Sequence, residues 1–526
     1  MNSIWKTTSA AALTALLALT AAGCGDKTAT KQDRELLKIG VNASGDSLET
    51  TENYCGWQVS RYGVGECLTR FDGQMAVRPW LAESWKVSDD RLSWTFKVKD
   101  NIMFSNGNKM TAEAVKMSLE RTFAMAKRAR ALFEPESFAA NGQELTVRTK
   151  KPCAILPGLL GDPLFIIVDV TEEGKRDFAR LGPVCTGPYM VTGFSKTKCE
   201  LAVNPTSRVA KVPYKRMEVN IIDDPHTRAM ALRKGKIDIA VNVGAGDLQL
   251  FKDQNEFNIS EVASVRSVLV RLNQNKGKPL SDKRVRRALI QALDRDSYCK
   301  VLLKDTFIPG APLLPSSADY GFDELMKQNP DRFHIENARK LLAEAGWKDT
   351  NRDGYVDKDG KNLELNFVFY SGCPELPLFA EATQSDAKQI GIKVNLKHVD
   401  YNDMYRIGTA GDYDMLISNS LALSSGDPEV FLNSYFRTNH SGDTPENASG
   451  YSNPDYDTLS ARLAGEFDSV KRRDIVIKMQ KILMDDAGTF VYGYPRINMI
   501  SRKGVEGARI FPIDFYWPMG KIKPVE

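Results

Sequence analysis

Only four histidines occur in this chain of 526 residues, and one of them, His440, lies in the turn-rich stretch YFRTNHSGD. Arg437 lies three positions before it. An imidazole can bind a metal ion, and a guanidinium group can bind a carboxylate. No histidine lies three or four positions from another, so no helical pair can chelate a metal by itself. His440 is therefore a candidate metal ligand, a candidate contact to another small molecule, or an ordinary surface histidine.

Sequence motifs for catalysis are absent from the chain. There is no HExxH, no GxSxG and no GxxxxGK[ST], and the stretches GVGECL and GAGDLQ lack the third glycine of a dinucleotide-binding loop. The stretch DTNRDGYVDKDG matches the first half of a calcium loop, but Gly360 stands where a bidentate Glu is needed. We interpret it as a polar turn between a helix and a strand. A secreted hydrolase remains an alternative without a supporting motif.

Length and charge limit the possible architectures and partners. The chain is 42% hydrophobic and far exceeds the roughly 250 to 300 residues at which a single core stops growing, so two or more lobes are expected. The 71 basic and 67 acidic residues are spread along the chain, for a formal charge of +4. Such a balance gives no strong field for nucleic acid, and we expect no nucleic-acid partner.

Residues 1–23 have the layout of a secretory signal, because Lys6 precedes a short apolar run that ends in small residues. That run is too short to span a membrane comfortably. The stretch LTAAGC resembles the cleavage region of a bacterial lipoprotein, in which Cys24 is lipidated and becomes the first mature residue. A plain signal peptide is the alternative. Residues 24–35 are polar and aperiodic, which predicts a tether.

Cysteine usage leaves the disulfide pattern open. Of the eight cysteines, seven remain if Cys24 carries a lipid, an odd number. Cys55 with Cys67, and Cys185 with Cys199, are close enough in sequence to be candidate pairs, although spacing alone cannot establish a bond. No CxxC occurs, which disfavours a zinc site or a thioredoxin-like motif.

Short strands alternate with helices along the rest of the chain. LSWTFKVK alternates as a half-buried strand, and in the next stretch Thr111 is placed to cap a helix. DDPHTRAMALRKGKIDIAVNV predicts a helix, a stop at Gly235 and a strand, and ENARKLLAEAGW predicts a helix ending at Gly346. Repeated crossovers of this kind indicate an α/β protein with more than one domain.

Several of these stretches, taken together, resemble the extracellular solute-binding proteins of family 5, which deliver peptides, nickel complexes and related solutes to ABC importers. The resemblance lies in RPWLAESW, LSWTFKVK and MFSNG, followed in the family's order by CTGPYMV, DDPHTRAMALRKGKIDI, SDKRVRRALIQALDRD and ARKLLAEAGW. It covers nearly all of residues 36–526.

The resemblance implies a two-lobed periplasmic-binding-protein fold with a hinge and an extra subdomain in the first lobe. We expect the first lobe at 36–265 and 485–526, its subdomain at about 70–184 and the second lobe at 266–484. It also implies a non-enzymatic and monomeric receptor without a cofactor. Its partner is an ABC permease, and its place is the periplasm or the outer face of the cytoplasmic membrane, where the lipid on Cys24 holds it.

The solute must be inferred from individual residues. Peptide-binding members carry an aspartate for the peptide's amino group three residues before the acidic residue of an Asp-Pro or Glu-Pro pair, and Ser424 stands at that position here. A buried ammonium group without a partner is costly, which disfavours an ordinary peptide receptor. Asp427 or another acid could substitute for the missing carboxylate.

Nickel-binding members carry a histidine after that pair at the spacing at which His440 is found. The resemblance then makes His440 a tentative ligand of a nickel chelate, whose carboxylates would need a basic partner. The nickel binders' tryptophan corresponds to about Ala422, and their arginine to a segment without a basic residue. The candidates to supply that charge are Arg437, Arg128 and Arg130.

The early loop that lines the cleft in family members holds Tyr54 and Trp57 here, which are candidate walls of the solute site or ordinary core aromatics. The predicted contacts are thus His440, Arg437, Tyr54, Trp57, Ser424 and Asp427. We favour a nickel or metal-chelate solute, with a dipeptide, an oligopeptide or another small organic solute as the alternative.

Overall fold

The computed structural model describes residues 35–42, 45–370, 372–439 and 447–525. The predicted lipidation site Cys24, the signal peptide and the candidate ligand His440 lie outside these ranges. Within them we find no helix with the length and hydropathy that a membrane crossing requires.

Twenty-two strands occur in the described ranges. They are β1 (Leu36–Val41), β2 (Thr69–Phe71), β3 (Val77–Pro79), β4 (Ala82–Val87), β5 (Ser93–Val98), β6 (Pro135–Asn141), β7 (Glu144–Thr149), β8 (Tyr189–Phe194), β9 (Lys198–Val203), β10 (Arg216–Ile221), β11 (Ile239–Val241), β12 (Phe257–Ala263), β13 (Arg266–Leu272), β14 (Phe307–Pro309), β15 (Asp357–Lys358), β16 (Lys361–Asn362), β17 (Glu364–Tyr370), β18 (Lys393–Val399), β19 (Met415–Leu421), β20 (Thr489–Arg502), β21 (Val505–Glu506) and β22 (Lys523–Pro524).

The α-helices alternate with these strands. They are α1 (Cys55–Arg61), α2 (Ala112–Met125), α3 (Lys127–Leu132), α4 (Leu156–Leu159), α5 (Phe178–Leu181), α6 (Pro225–Arg233), α7 (Lys283–Ala292), α8 (Arg295–Ser297), α9 (Phe322–Lys327), α10 (Ile335–Glu344), α11 (Glu375–Gln389), α12 (Tyr401–Ala410), α13 (Glu429–Phe436), α14 (Pro454–Gly465) and α15 (Ser469–Asp485).

Local sequence signals set several of these boundaries. Thr111 caps α2, and its hydroxyl accepts a hydrogen bond from the Ala114 N–H at 3.2 Å, as predicted. Gly346 and Gly391 follow α10 and α11 with φ angles of +89° and +79°, a conformation that glycine adopts without steric penalty. The predicted sequence of strand, turn and helix is therefore confirmed in these regions.

Twelve strands belong to one connected sheet with the order β18-β17-β19-β13-β20-β11-β1-β10-β9-β8, and β12 and β14 also pair with β20. The half with β1 and β8 to β12 forms the first lobe, and the half with β13, β14 and β17 to β19 forms the second. A separate sheet, β4-β5-β7-β6, packs with α2 in a subdomain that the chain enters from the first lobe.

The long strand β20 belongs to both lobes. Its residues 489–493 pair with β13, and residues 496–502 pair with β12. The chain crosses between the lobes a second time where β12 ends at Ala263 and β13 begins at Arg266. The two lobes are thus joined by two adjacent extended segments. The predicted domain boundaries at 265/266 and 484/485 stay predictions.

Each lobe has its own hydrophobic core, and another apolar cluster joins the lobes. That cluster includes Phe71 and Met75 from the first lobe and Ala422, Leu423 and Leu432 from the second, all at most 5% exposed. The lobes are therefore packed against each other in this structure.

The two remaining sequence hypotheses concern cysteines and calcium. All seven described cysteines are free thiols, so neither candidate pair, Cys55–Cys67 or Cys185–Cys199, is formed. In the stretch matching a calcium loop, the carboxylates of Asp349 and Asp353 accept hydrogen bonds from the N–H groups of Gly354 and Tyr355. This is the polar turn that we predicted, and no metal-binding group of three or more His, Cys, Asp or Glu occurs among the described residues.

Candidate functional site

The edge of the second lobe that faces the first is built from strand ends. β17 pairs in parallel with both β18 and β19, so the carboxyl ends of all three lie at the same edge. Tyr370, Tyr401 and Ser424 lie at or just after these ends. The antiparallel strand β13 begins at this edge with Arg266. Ligands of open α/β sheets bind in the crevice outside such strand ends.

The first lobe presents two aromatic side chains at the start of α1. The ring centroids of Tyr54 and Trp57 are 4.8 Å apart, and Phe515 lies 5.5 Å from Trp57. The structure therefore brings together the two aromatic residues that the sequence singled out. Their role as walls of a solute site stays a prediction.

Three arginines surround this aromatic pair. The Arg128 Cζ lies 4.7 Å from the ring centroid of Tyr54. The Cζ atoms of Arg61 and Arg266 lie 5.5 and 5.4 Å from the ring centroid of Trp57. Arg266 comes from the second lobe, so Trp57 is held between guanidinium groups of both lobes. Contacts of this kind are attractive and fix the plane of the ring.

Two buried aspartates balance part of this positive charge. The Arg61 Nε donates to the backbone oxygen of Asp514 at 2.6 Å, and the Arg266 Nη2 lies 4.0 Å from its Oδ1. Burial raises the pKa of Asp514, but Arg61 and Arg266 outweigh burial and hold it below the usual aspartate value. The Arg128 Nη2 lies 3.2 Å from the Oδ1 of Asp162. Three guanidinium groups thus face two carboxylates.

The lobes touch around this cluster. The phenol groups of Tyr54 and Tyr401 are hydrogen-bonded across the interface, and the rings of Tyr401 and Tyr370 lie 5.6 Å apart. At the subdomain, Trp94 stacks with Phe467 of the second lobe at a centroid distance of 6.2 Å. A small solute between the lobes would therefore be enclosed from both sides.

Some buried polar atoms around the cleft have no hydrogen-bond partner among the described residues. Two are donors, the Trp57 Nε1 and the Arg128 Nε, and one is an acceptor, the Asn419 Oδ1. Leaving a buried polar atom unpaired costs about 1 to 3 kcal/mol. These atoms are therefore available to groups of a bound molecule.

The second lobe contributes an acidic residue, Glu375, to the site. Glu375 begins α11, and its Oε1 accepts a hydrogen bond from the Asn419 Nδ2 at 2.8 Å. Burial raises the pKa of Glu375, and the Asn419 amide and the charge of Arg266 offset this only in part. Glu375 could therefore pair with a positive group of a solute.

The other predicted contacts lie in different surroundings. Ser424 is half-buried in the turn after β19, at the cleft edge. Arg437 is exposed at the end of α13, where its backbone oxygen accepts from the Asn447 Nδ2, and Arg130 is exposed on α3. The structure brings Arg128 to Tyr54 but does not bring Arg130 there. His440 lies outside the described residues, so its predicted role stays a prediction.

Asp427 is engaged inside the protein. Its Oδ2 and Oδ1 accept hydrogen bonds from the Arg472 Nε and Nη2 at 2.9 and 2.8 Å. The Arg472 Nη2 also donates to Glu429 at 2.7 Å, and the Tyr320 hydroxyl bonds to Asp427. Because Arg472 already occupies both oxygens, the geometry gives no support to the prediction that Asp427 contacts the solute.

Arg266, Glu375 and Asn419 are functional candidates that sequence reasoning missed. Arg266 and Glu375 begin β13 and α11, and Asn419 lies two residues before the end of β19. Their position could have been suggested only by knowing that β17, β18 and β19 run in parallel, which no local pattern reveals.

The chain is similar to bacterial solute-binding proteins over most of its length. The sequence model of a family described as bacterial extracellular solute-binding proteins, family 5 Middle, matches residues 76–443. The probable D,D-dipeptide-binding periplasmic protein DdpA of Escherichia coli (strain K12) is 29% identical over 492 residues, which are 90% of this chain and 91% of DdpA. The nickel-binding protein NikA of Staphylococcus aureus (strain NCTC 8325 / PS 47) is 26% identical over 500 residues, 95% of each chain.

Solved structures share the whole fold. NikA from Staphylococcus aureus in complex with Ni(L-His)2 superposes with a TM-score of 0.78 at 24% identity, covering 93% of this chain and 100% of NikA. The oligopeptide-binding protein AppA from Bacillus subtilis in complex with a nonapeptide has a TM-score of 0.79 at 21% identity, covering 93% of this chain and 99% of AppA. The predicted two-lobed α/β fold of periplasmic binding proteins is confirmed.

Proposed function

We propose a solute for this chain, which belongs to family 5 of the bacterial extracellular solute-binding proteins. The solute is a small molecule in which carboxylates surround a positive centre. The chain is a solute-binding receptor of an ABC importer rather than an enzyme, and its protein partner is a membrane permease, as predicted. A solute that touches both lobes favours the closed state by its extra affinity for that state.

The main support for the proposal is that two buried donors at the cleft have no hydrogen-bond partner among the described residues. The Trp57 Nε1 and the Arg128 Nε can only donate, so their partners in a complex must be acceptors. Carboxylate oxygens are the strongest such acceptors, and the guanidinium groups of Arg61, Arg128 and Arg266 around these donors favour a negative charge there. A solute without acceptors would leave both donors buried and unpaired.

A positive centre in the solute is supported by Glu375 and by the unpaired Asn419 Oδ1. Both accept hydrogen bonds or bind a cation. Asn419 pairs with Val268 of β13, and the charge of Arg266 at the start of β13 acts on Glu375. An ammonium group or a chelated metal ion would satisfy them. Glu375 thus offers the carboxylate that Ser424 does not.

Two kinds of solute fit this description. A nickel ion held by amino-acid carboxylates is one, and it is supported by the NikA relatives and by the spacing of His440. A peptide or another amino-acid derivative is the other, and it is supported by DdpA and AppA. We retain the nickel chelate as the favoured solute and the peptide as the alternative. No resident cofactor is proposed.

Calorimetric titration tests the proposal. The panel consists of Ni(L-His)2, D-alanyl-D-alanine and L-alanyl-L-alanine, measured with the wild type, Trp57→Phe and the matched control Trp85→Phe. Trp57→Phe keeps an aromatic ring and removes the N–H donor together with the second ring of the indole, a loss that Trp85→Phe shares. We expect affinity for the bound member to fall about tenfold, which corresponds to one lost hydrogen bond to a charged group. Trp85→Phe should leave affinity unchanged.

An equal affinity of Trp57→Phe and wild type would contradict the proposed site. The same titrations with His440→Ala separate the two solutes. The nickel chelate is supported if the wild type binds Ni(L-His)2 and His440→Ala does not. The peptide is supported if the wild type and His440→Ala both bind a peptide and neither binds Ni(L-His)2.

We further propose that the mature chain is a monomer anchored by a lipid on Cys24, at the periplasmic side or outer face of the cytoplasmic membrane. The proposal is supported by the stretch LTAAGC, by the polar tether at 24–35 and by the periplasmic relatives. Cys24→Ala should move the protein from the membrane fraction to the soluble fraction. Unchanged fractionation would exclude the anchor.

A further inference from the structure

A second group of unpaired polar side chains lies inside the second lobe, between its sheet and the helices α12 and α13. Arg271 is 8% exposed, Ser418 is 4% exposed and Tyr413 is 1% exposed. The register pairs Leu269 with Ser418 and Arg271 with Leu416, which places Arg271 and Ser418 on the same face of the sheet. As diagonal neighbours on that face, they are about 7 to 8 Å apart at their Cα atoms.

These groups lack partners in the part of the chain that the structure describes. The Arg271 Nε, the Tyr413 hydroxyl and the Ser418 Oγ each have no hydrogen-bond partner there. No described carboxylate lies within 4.0 Å of the Arg271 guanidinium, whereas Arg61 and Arg128 have Asp514 and Asp162. A buried guanidinium group without a carboxylate partner is costly to the fold, so we expect it to have a function.

The surroundings of Arg271 hold its guanidinium group in place. Its Cζ lies 5.1 Å from the ring centroid of Tyr435. A Cβ atom on Gly408 of α12 would lie 2.9 Å from the Arg271 Nη2, so the glycine leaves the room that the guanidinium group occupies. A guanidinium group that rests on an aromatic face keeps the N–H groups at its edge for a planar, two-oxygen acceptor.

Tyr435 lies between this group of side chains and the cleft edge. The Tyr435 hydroxyl lies 3.4 Å from the Ser420 Oγ, on the same face of the sheet and closer to the cleft edge. Ser420 is one position from Leu421, which pairs with Arg266 at the cleft edge. The Tyr435 side chain therefore connects Arg271 with the cleft edge.

We infer that Arg271, Tyr413 and Ser418 form a second oxyanion subsite, which takes a carboxylate of the solute beyond the one at Trp57 and Arg128. The inference rests on the proposed function, because it assigns a further group to the same solute. All three side chains can donate to the same oxyanion. The subsite selects solutes with at least two carboxylates and discriminates against their amides.

Calorimetry with a matched pair of probes tests this subsite. The pair is L-alanyl-L-glutamate and L-alanyl-L-glutamine, which differ only in the second carboxylate. We expect the wild type to bind the carboxylate member about tenfold or more tightly, and Arg271→Met to lose this preference. Arg271→Lys should keep part of it, and the exposed control Arg339→Met should keep all of it.

A thermal comparison of solute-free protein separates a binding role from a structural one. Because Arg271 has no described ion-pair partner, Arg271→Met should leave the melting temperature unchanged or raise it. A fall of more than about 4 °C would show that Arg271 supports the fold and would overturn the inference. If no probe binds to the wild type, the melting temperatures of wild type and Arg271→Met alone decide whether Arg271 supports the fold.

The outcomes distinguish the subsite from the proposed function. If Trp57→Phe weakens binding and Arg271→Met preserves the carboxylate preference, the subsite is wrong and the proposed cleft stands. If Trp57→Phe changes nothing and Arg271→Met removes the preference, the proposed donors at the cleft are wrong.

Discussion

At the level of single residues, the acidic side chains near the cleft fall into two groups, those paired with an arginine and those paired with a neutral amide. Asp427 and Asp514 are held by arginines of the protein itself, whereas Glu375 is paired with the neutral amide of Asn419. A carboxylate held by a guanidinium group stabilises the fold and has little left to offer a ligand. Sequence position alone could not separate these roles, because the arginine that meets Asp427 lies 45 residues away.

Asp427→Asn should destabilise the protein without a direct loss of solute contact. The change breaks a pair in which Arg472 is buried, so the free energy of unfolding should fall by about 3 kcal/mol. Chemical denaturation measures this. The matched control is Asp319→Asn. Asp319 forms an ion pair with Arg473, and its carboxylate is 82% exposed. This change should alter the free energy of unfolding by less than about 0.5 kcal/mol. Equal small effects of both variants would contradict the structural role.

Asp514 should make stability depend on acid pH. Its pKa lies below the usual value of 3.8, so the folded protein favours the carboxylate. The resulting stabilisation is fully present above about pH 4 and is lost as the pH falls through the lowered pKa. Thermal unfolding of wild type and Asp514→Asn should differ at pH 7, by about 2 kcal/mol in the free energy of unfolding, and converge at lower pH. A difference that does not change with pH would contradict this account.

At the scale of elements, local patterns identify helices and strands but not their neighbours. The cap at Thr111 and the stops at Gly235 and Gly346 are where the sequence predicts them, because these signals act within a few residues. Strand order depends on contacts between distant segments. No local pattern indicates that β20 pairs first with β13 and then with β12, and so belongs to both lobes.

The contact between β5 and the loop after α14 should control closure of the lobes. Phe467 of the second lobe stacks on Trp94 of the subdomain, and its ring centroid lies 5.0 Å from the Arg91 Cζ. Both contacts cross the interface between the subdomain and the second lobe. Phe467→Ala should weaken solute affinity several-fold by destabilising the closed state, although Phe467 lies outside the proposed solute site.

Small-angle X-ray scattering without solute provides the direct check on this contact. Phe467→Ala should have a larger radius of gyration than the wild type, whereas the exposed control Val470→Ala should match it. Unchanged scattering and affinity of Phe467→Ala would mean that this contact has no part in closure.

At the scale of the whole molecule, the family resemblance predicted the two-lobed fold, and the solved relatives confirm it over 93% of the chain. The candidate site was predicted in part. Tyr54, Trp57 and Arg128 are found together, but the predicted contact with Asp427 gains no support. The site forms where two lobes meet, so its chemistry depends on pairs such as Trp57 and Arg266 that are remote in sequence.

The donors at the cleft are proposed to bind carboxylates of the solute. A crystal structure of the protein with the panel member that binds most tightly tests it directly. We expect closed lobes and a carboxylate oxygen within about 3.2 Å of both the Trp57 Nε1 and the Arg128 Nε. A solute bound elsewhere, or one that presents no acceptor to these two atoms, would contradict the claim.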